Sequence, residues 1–226
     1  MGFSDVWVVI AAYNEGTVLS DVVRTVRAAF QNVVVVDDGS SDDTAEAAAS
    51  AGAVVVRHPI NLGQGAALQT GIDFALRAGA DAVVTFDADG QHRVEDAQLM
   101  LERLWQNKWD VAIGSRFLGS AENIPPIRRM VLRLAALFTW ATAGVRLTDA
   151  HNGLRAITAQ AARKLRIRQN RMAHASEIIE MIGRSQLRVG EVPVKIIYTE
   201  YSLAKGQKLS NSIHIVLDLL MGRIGR

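Results

Sequence analysis

The chain has 226 residues, 49% of them hydrophobic, enough to bury one large core, and a single domain accounts for that length more simply than two. A formal net charge of only +2 leaves no electrostatic footprint for nucleic acid. The sequence contains no cysteine, which excludes disulfides and thiolate metal sites and is compatible with a reducing compartment.

Met1 to Asp5 lacks a basic leader, and the apolar run from Trp7 to Ala12 is soon interrupted by Tyr13-Asn14-Glu15, so a signal peptide is not expected and the cytoplasm is the expected location. No stretch reaches the roughly 18 to 20 uninterrupted apolar residues of a membrane span. Val6 to Ala12 predicts a first strand, and Thr17 to Phe30 a helix with Val18, Val22, Val26 and Ala29 on one face. Val33 to Val36 predicts a second strand, followed by an alanine-rich helix opened by Ser41, Asp42 or Asp43 and running to Ser50. Further strands are expected at Val54 to Val56, Ala82 to Phe86 and Val111 to Gly114, with helices at Ala66 to Ala78 and 94–106 between them. Strands alternating with helices imply βαβ units and a mostly parallel α/β sheet flanked by helices. There is no internal repeat and no low-complexity linker.

Polar clusters follow these strands: Tyr13-Asn14-Glu15, Asp37-Asp38-Gly39-Ser40, Asp87-Ala88-Asp89-Gly90-Gln91 and Gly114-Ser115-Arg116. In an open parallel sheet they would all lie at the carboxyl edge, where ligands bind. Each could be turn chemistry alone. Together they suit a site for a nucleotide and a metal, since alternate residues of an extended segment point the same way and Asp87, Asp89 and Gln91 could offer three oxygens to one hard cation. An acidic turn capping the next helix is the alternative. The run Asn61-Leu62-Gly63-Gln64-Gly65 is a poor dinucleotide fingerprint, because Leu68 stands where a third small residue is needed. Close helix packing and a loop that hugs a ligand fit it better.

After Ile124-Pro125-Pro126-Ile127, Arg128, Arg129 and Arg133 open a segment of Ala, Leu, Phe, Trp and Val up to Val145, with Arg129 and Arg133 four residues apart on one helical face. These arginines could bracket a lipid phosphate while Leu132, Leu137 and Trp140 enter a membrane interface; a core helix with a solvated basic start is the other reading. Arg163, Lys164, Arg166, Arg168 and Arg171 form a second basic cluster, suited to anionic headgroups or to plain solvent. His174 and Glu177 share a helix running to Arg184, with a general base conceivable at Glu177 and packing the simpler role for His174. Ser210 to Met221 is amphipathic rather than spanning.

These motifs in this order, Ala12-Tyr13-Asn14-Glu15, Asp37-Asp38-Gly39-Ser40, Asn61 to Gly65, Asp87 to Gln91 and Gly114 to Arg116, resemble the family 2 glycosyltransferases of GT-A fold. Asn152-Gly153-Leu154-Arg155 and Glu191-Val192-Pro193-Val194 are similar to the polyprenyl-phosphate sugar transferases, the dolichol-phosphate mannose synthase-like branch. The resemblance implies a GT-A domain over 1–209, with 127–147 as an interfacial helical segment, followed by an amphipathic helix at 210–226. It implies inverting transfer of a sugar from a nucleotide diphosphate sugar to a polyprenyl phosphate, dolichyl or undecaprenyl, by a peripheral protein on the cytoplasmic face of a membrane. Ala12, Tyr13, Asn14, Glu15, Asp37, Asp38, Gln64, Asp87, Ala88 and Asp89 would hold the donor, Asp38 at the base and ribose, while Lys205 and Lys208 lie in a loop resembling one that closes on the diphosphate. Asp87, Asp89 and Gln91 would bind Mg²⁺ or Mn²⁺; Arg116, Arg129 and Arg133 would take the acceptor phosphate, with Asp89, Arg116 and Arg129 carrying catalysis. The chain departs from the family pattern at Ala12, Gln64 and Leu154, where proline, lysine and phenylalanine are frequent, which bears on donor identity more than on the reaction.

Chemistry supports that inventory. A phosphate monoester, with a second pKa near ~6, is already ionised at neutral pH and needs orientation and charge screening rather than a base. A soluble or polymer hydroxyl acceptor would need a carboxylate base, and a non-catalytic nucleotide-sugar-binding or membrane scaffold protein would need neither. A membrane-protein partner or a homo-oligomer is compatible with the apolar faces.

Overall fold

The computed structural model describes residues 3–122, 124, 126–170 and 174–198. The first half alternates strands and helices as the periodicity predicts: β1 (Val6–Ala12), α1 (Gly16–Arg27), β2 (Asn32–Asp37), α2 (Thr44–Ser50), β3 (Val54–Arg57), α3 (Gln64–Arg77), β4 (Ala82–Asp87) and α4 (Val94–Gln106). The second half is β5 (Val111–Glu122), α5 (Pro126–Ala143), β6 (Arg155–Thr158), α6 (Ala159–Lys164), α7 (His174–Arg184) and β7 (Val189–Ile197). Helix α1 buries Leu19, Val22, Val23 and Val26, so its apolar face is rotated from the expected one and Val18 is only half-buried. Helix α3 starts two residues before the expected Ala66, which brings Gln64 and Gly65 into its first turn.

The strands form one seven-stranded sheet in the order β3-β2-β1-β4-β6-β5-β7. All pairings are parallel except those of β6, which runs antiparallel to both β4 and β5. Because β6 is reversed, its first residue, Arg155, reaches the edge where β4 ends; Arg155 stands opposite Thr85 of β4 and Ile113 of β5. Strand β5 does not stop at Gly114 as expected but continues to Glu122, with an irregularity between Ser115 and Ser120 where it pairs with β7. Pro193 sits in β7 at the sheet's margin, where a missing N–H need not interrupt a ladder.

Apolar cores cover both faces. Val6, Val8 and Ile10 of β1 face a cluster with α1 and α4, and Val9 faces one with α3, α6 and α7. That alternation is the period-2 signature of a strand buried on both sides, and it explains why β1, β2 and β4 read as nearly continuous apolar runs. Helix α3 approaches the sheet closely at Gly71, where an added Cβ would lie 2.3 Å from Val9 Cγ1 and 3.2 Å from Val36 Cγ2. Gly71→Ala is therefore expected to destabilise the protein by ~1 to 3 kcal/mol through overpacking, even though alanine is the better helix former. Urea unfolding at constant slope would measure it; a stabilised variant would show that α3 does not seat on β1 at this depth.

Candidate active site

The register of the sheet assembles the site. Ala12 lies opposite Asp37, and Ala11 opposite Asp87, so β1, β2 and β4 end together. Beyond β1 the chain turns through Asn14 in a left-handed conformation (φ 53°), which asparagine tolerates well. The turn is stapled to the loop after β2: Asn14 N donates to Ser40 Oγ (2.9 Å), Ser41 N to Asn14 Oδ1 (2.9 Å), Glu15 N to Thr44 Oγ1 (2.8 Å) and Gly16 N to Asp42 Oδ2 (3.1 Å). Two clusters read separately in the sequence thus form one braced rim, with the Tyr13 ring exposed on it.

The two acids after β2 point inward. Asp37 is fully buried and accepts from Ser40 N (2.9 Å); its other oxygen lies 3.0 Å from Arg57 Nε, a charge contact without hydrogen-bond alignment. Asp38, expected to hold base and ribose, accepts instead from Leu62 N (2.9 Å), Gly63 N (2.7 Å) and His58 Nδ1 (2.7 Å). A buried carboxylate has to be matched by donors, and here the loop leading into α3 supplies them. Asp38 therefore supports the loop that leads into α3 from beneath. The contact is close: a Cβ on Gly39 (φ 73°) would lie 2.5 Å from the Ile60 carbonyl carbon. Gly39, Ser40, Arg57, His58 and Pro59 line an open cavity of ≈ 310 Å³ beside this loop.

Asp87 and Asp89 lie near enough for the charge of Asp87 to act on Asp89, and Gln91, expected as a third ligand, sits against Asp89 through its amide nitrogen. Gln91 donates to Asp89 through its backbone N (3.1 Å to Oδ1) and its amide Nε2 (2.7 Å to Oδ2). Among the described residues no group of three or more histidine, aspartate or glutamate side chains converges as a metal site. Asp87 accepts from His92 Nε2 (2.8 Å) and from Gln64 Nε2 at a long 3.4 Å. Gly153 backs it so tightly that an added Cβ would lie 2.1 Å from Asp87 Oδ2. Burial works to raise the Asp87 pKa, but the His92 hydrogen bond and the charges of His92, Arg155 and His174 outweigh it and hold the group below its ordinary range. Asp89 goes the other way: burial first, and the Asp87 charge second, push it up to about 6. One carboxylate held ionised next to another that resists ionisation is a pair that an added cation would relieve. The donor set fits a hard divalent ion that completes its shell with water and phosphate oxygens.

Behind the acids lies a cation that sequence reasoning placed in a motif without giving it a role. Arg155 is 1% exposed, and its Nε and Nη1 have no hydrogen-bond partner. Burial lowers its pKa to about 10 against the pull of Asp87 and Asp149, so it stays charged at neutral pH. Arg116, expected at a strand end facing the acceptor, lies inside β5 and is buried: its Nε donates to Asp149 Oδ2 (2.5 Å) and its Nη1 to Tyr198 Oη (2.7 Å). Glu191 in turn accepts from Thr148 N (2.9 Å), Thr148 Oγ1 (2.8 Å) and Asp149 N (3.0 Å), which fixes the turn that presents Asp149. Glu177 accepts from Arg168 N (2.9 Å) and Gln169 N (2.8 Å), so it holds a loop rather than standing free as a base. His174 is buried and acts electrostatically on Asp87. Asp149 and His92 gave no functional signal, while Glu191 and Arg155 entered only as members of motifs that resemble the polyprenyl-phosphate sugar transferases, without a role of their own. Arg129 and Arg133 are exposed on α5, Arg133 over the Phe117 ring (5.4 Å). Lys205, Lys208 and the 210–226 segment lie outside the described residues.

Asp89 binds its proton more tightly folded than unfolded. The stability this adds is fully present below the ordinary value of 3.8 and is lost as pH rises through about 6. In chelator, the protein is therefore expected to lose melting temperature between about pH 4 and 7, and Asp89→Asn to lose less over that window. Parallel melting curves for the two chains would contradict the burial and charge repulsion assigned to Asp89.

The Glycosyl transferase family 2 signature matches residues 7–166. The uncharacterized protein MJ1222 of Methanocaldococcus jannaschii is 36% identical over 225 residues, 97% of this chain and 93% of the relative. A UDP-N-acetylglucosamine--dolichyl-phosphate N-acetylglucosaminyltransferase of Methanococcus voltae is 34% identical over 177 residues, 76% of this chain and 70% of the relative. In fold, the chain is similar to glucosyl-3-phosphoglycerate synthase from Mycobacterium tuberculosis, solved with Mn²⁺, UDP-glucose and phosphoglyceric acid, at a TM-score of 0.73 and 20% identity over 98% of this chain and 80% of that one. The signature spans every strand from β1 to β6 and each acid at the carboxyl edge, and on that ground the chain belongs to the family 2 glycosyltransferases and has the GT-A fold.

Proposed function

We propose that this glycosyltransferase moves one sugar from a nucleotide diphosphate sugar to the phosphate of a polyprenyl lipid, with inversion at the anomeric carbon. The observation that carries the acceptor is α5: Met130 (57% exposed), Leu134 (58%), Leu137 (57%) and Trp140 (47%) leave an apolar stripe uncovered on the helix that carries exposed Arg129 and Arg133. A core helix would bury that stripe. An interfacial helix inserts it among lipid chains and keeps its guanidinium groups at the headgroup level, where phosphates are. No described helix is long and apolar enough to cross a membrane, so the association proposed is with the surface, on the cytoplasmic face. The dolichyl-phosphate acceptor in the name of the Methanococcus voltae relative supports the same class.

In this reading the nucleotide lies on the rim made by Ala12 to Glu15 and the loop after β2, with the exposed Tyr13 ring and the cavity at Arg57 available to the base. Asp87 and Asp89 would hold Mg²⁺ or Mn²⁺, which supplies positive charge to the departing diphosphate. Gln64, in the first turn of α3, reaches the same carboxylate from the donor side. An acceptor phosphate oxygen forms the new bond to the anomeric carbon as the bond from that carbon to the diphosphate oxygen breaks, and the nucleoside diphosphate leaves. The nucleophile is already ionised, so no side chain has to take a proton. Arg129 and Arg133 hold it; Arg116 acts at one remove, by locking Asp149 and Tyr198 behind the reacting edge.

Incubation with UDP- and GDP-sugars, undecaprenyl or dolichyl phosphate and Mn²⁺, followed by extraction, should put label in the lipid phase, and label confined to an aqueous or polymer product would refute the acceptor. Asp89→Asn is expected to leave the fold intact and nearly abolish transfer; undiminished turnover at saturating metal would remove Asp89 from the clamp. Arg129→Ala should weaken acceptor use by about 10-fold or more, each lost charge-assisted contact being worth ~1.5 to 3 kcal/mol, while donor hydrolysis without lipid is spared. Equal loss of both activities would assign Arg129 to the donor.

A further inference from the structure

We infer that His92 is a positioning residue, holding the Asp87 carboxylate in the one rotation that lets Asp87 and Asp89 share a divalent cation. The inference rests on the metal reading of those two acids. His92 lies in the loop that leads from the acids to α4, its side chain 3% exposed and its ring edge-on to Phe86 at 5.5 Å and 74°. Its Nε2 is 2.8 Å from Asp87 Oδ2, and its Nδ1 is buried without a partner. An ionised carboxylate only accepts, so Nε2 is the donor in this bond. With one nitrogen used and the other buried, His92 is not itself placed to ligate.

The carboxyl rotor of an aspartate is soft and roughly two-fold, so burial alone does not aim its oxygens. Around Asp87 three contacts remove that freedom: His92 on Oδ2, Gln64 at 3.4 Å from Oδ1, and Gly153, which leaves no room for the group to swing back. The His92 bond is the short one, and the residue that makes it is clamped by packing. Asp89 differs, because among the described residues both of its oxygens are bonded only to Gln91, two residues along its own loop. The pair therefore has an anchored member and one that moves with its loop, and the anchoring depends on an imidazole that touches no substrate. Outer contacts of this kind tune metal affinity by ~10 to 100-fold.

The test measures binding rather than turnover. Free Mn²⁺ is followed by electron paramagnetic resonance as the full chain is titrated in the presence of UDP and, separately, GDP, for the parent, His92→Phe, His92→Gln and Asp89→Asn. His92→Phe keeps a ring against Phe86 but has no N–H, and it should loosen Mn²⁺ by ~10-fold or more. His92→Gln can still donate and should recover most of that affinity. Should His92→Phe not fold, as judged by circular dichroism, His92→Met replaces it, having the reach of glutamine without the donor. Parent-like Mn²⁺ affinity in His92→Phe, or equal affinity in the Gln and Met chains, would overturn the inference while Asp89→Asn still loses the ion. If Asp89→Asn binds as tightly as the parent, or the parent binds no Mn²⁺, the metal reading itself falls and the role of His92 with it.

Discussion

A guanidinium enclosed in a sheet has to be answered by negative charge, and the burial of Arg155 sets the terms for everything around it. Removing an unpaired cation from water costs several kcal/mol, so the fold places Asp87 on one side and Asp149 on the other. Asp87 is kept ionised against its burial by the His92 hydrogen bond and charge first, with Arg155 and His174 adding to them, where a carboxylate with no cationic support would resist losing its proton. Asp149 is drawn inward, where it organises Arg116 and Asn152. The reversed direction of β6 makes this possible, because only a strand that enters from the carboxyl edge can begin with a residue at the level where β4 ends.

The loops show a division of labour that hydrogen bonding explains. Acids near β2 become scaffolding: buried Asp37 holds Ser40, buried Asp38 holds the 62–63 backbone, and exposed Asp42 takes Gly16 and Thr44. Acids after β4 are met differently: Asp87 accepts from the side chains of His92 and Gln64, and Asp89 from the backbone and amide of Gln91. Carboxylates answered mainly by backbone N–H groups thus brace the rim in one loop, and carboxylates answered mainly by side chains stand together in the next.

Strands β1, β2 and β4 were legible because each is an unbroken apolar run closed by a polar cluster, and the helices between them because their apolar spacing and punctuation agree. The convergence of Asp87 with the Asn14 and Ser40 loops followed from parallel topology alone. Strand β5 beyond Gly114 was not legible: Ser115, Arg116 and Ser120 break its alternation, and an irregular pairing with β7 absorbs the mismatch. Four-residue β6 opens with a charge, and β7 contains Gly190, Glu191 and Pro193, so neither carries a strand signature. Direction was illegible as well. An aspartate at a strand's end reads the same whether it meets side chains, like Asp87 with His92 and Gln64, or the backbone of a neighbouring loop, like Asp38. His92 and Asp149 make their contacts with residues that the sheet, not local sequence, brings near.

The position of β6 between β4 and β5 also orders events during synthesis. The unit β3-β2-β1-β4 is complete well before residues 155–158 leave the ribosome, and until then one side of β4 is an unpaired strand edge with a strongly apolar surface. The short strand that closes this edge is the one that starts with Arg155, so the pairing that shields β4 from edge-to-edge association is also the pairing that buries the charge.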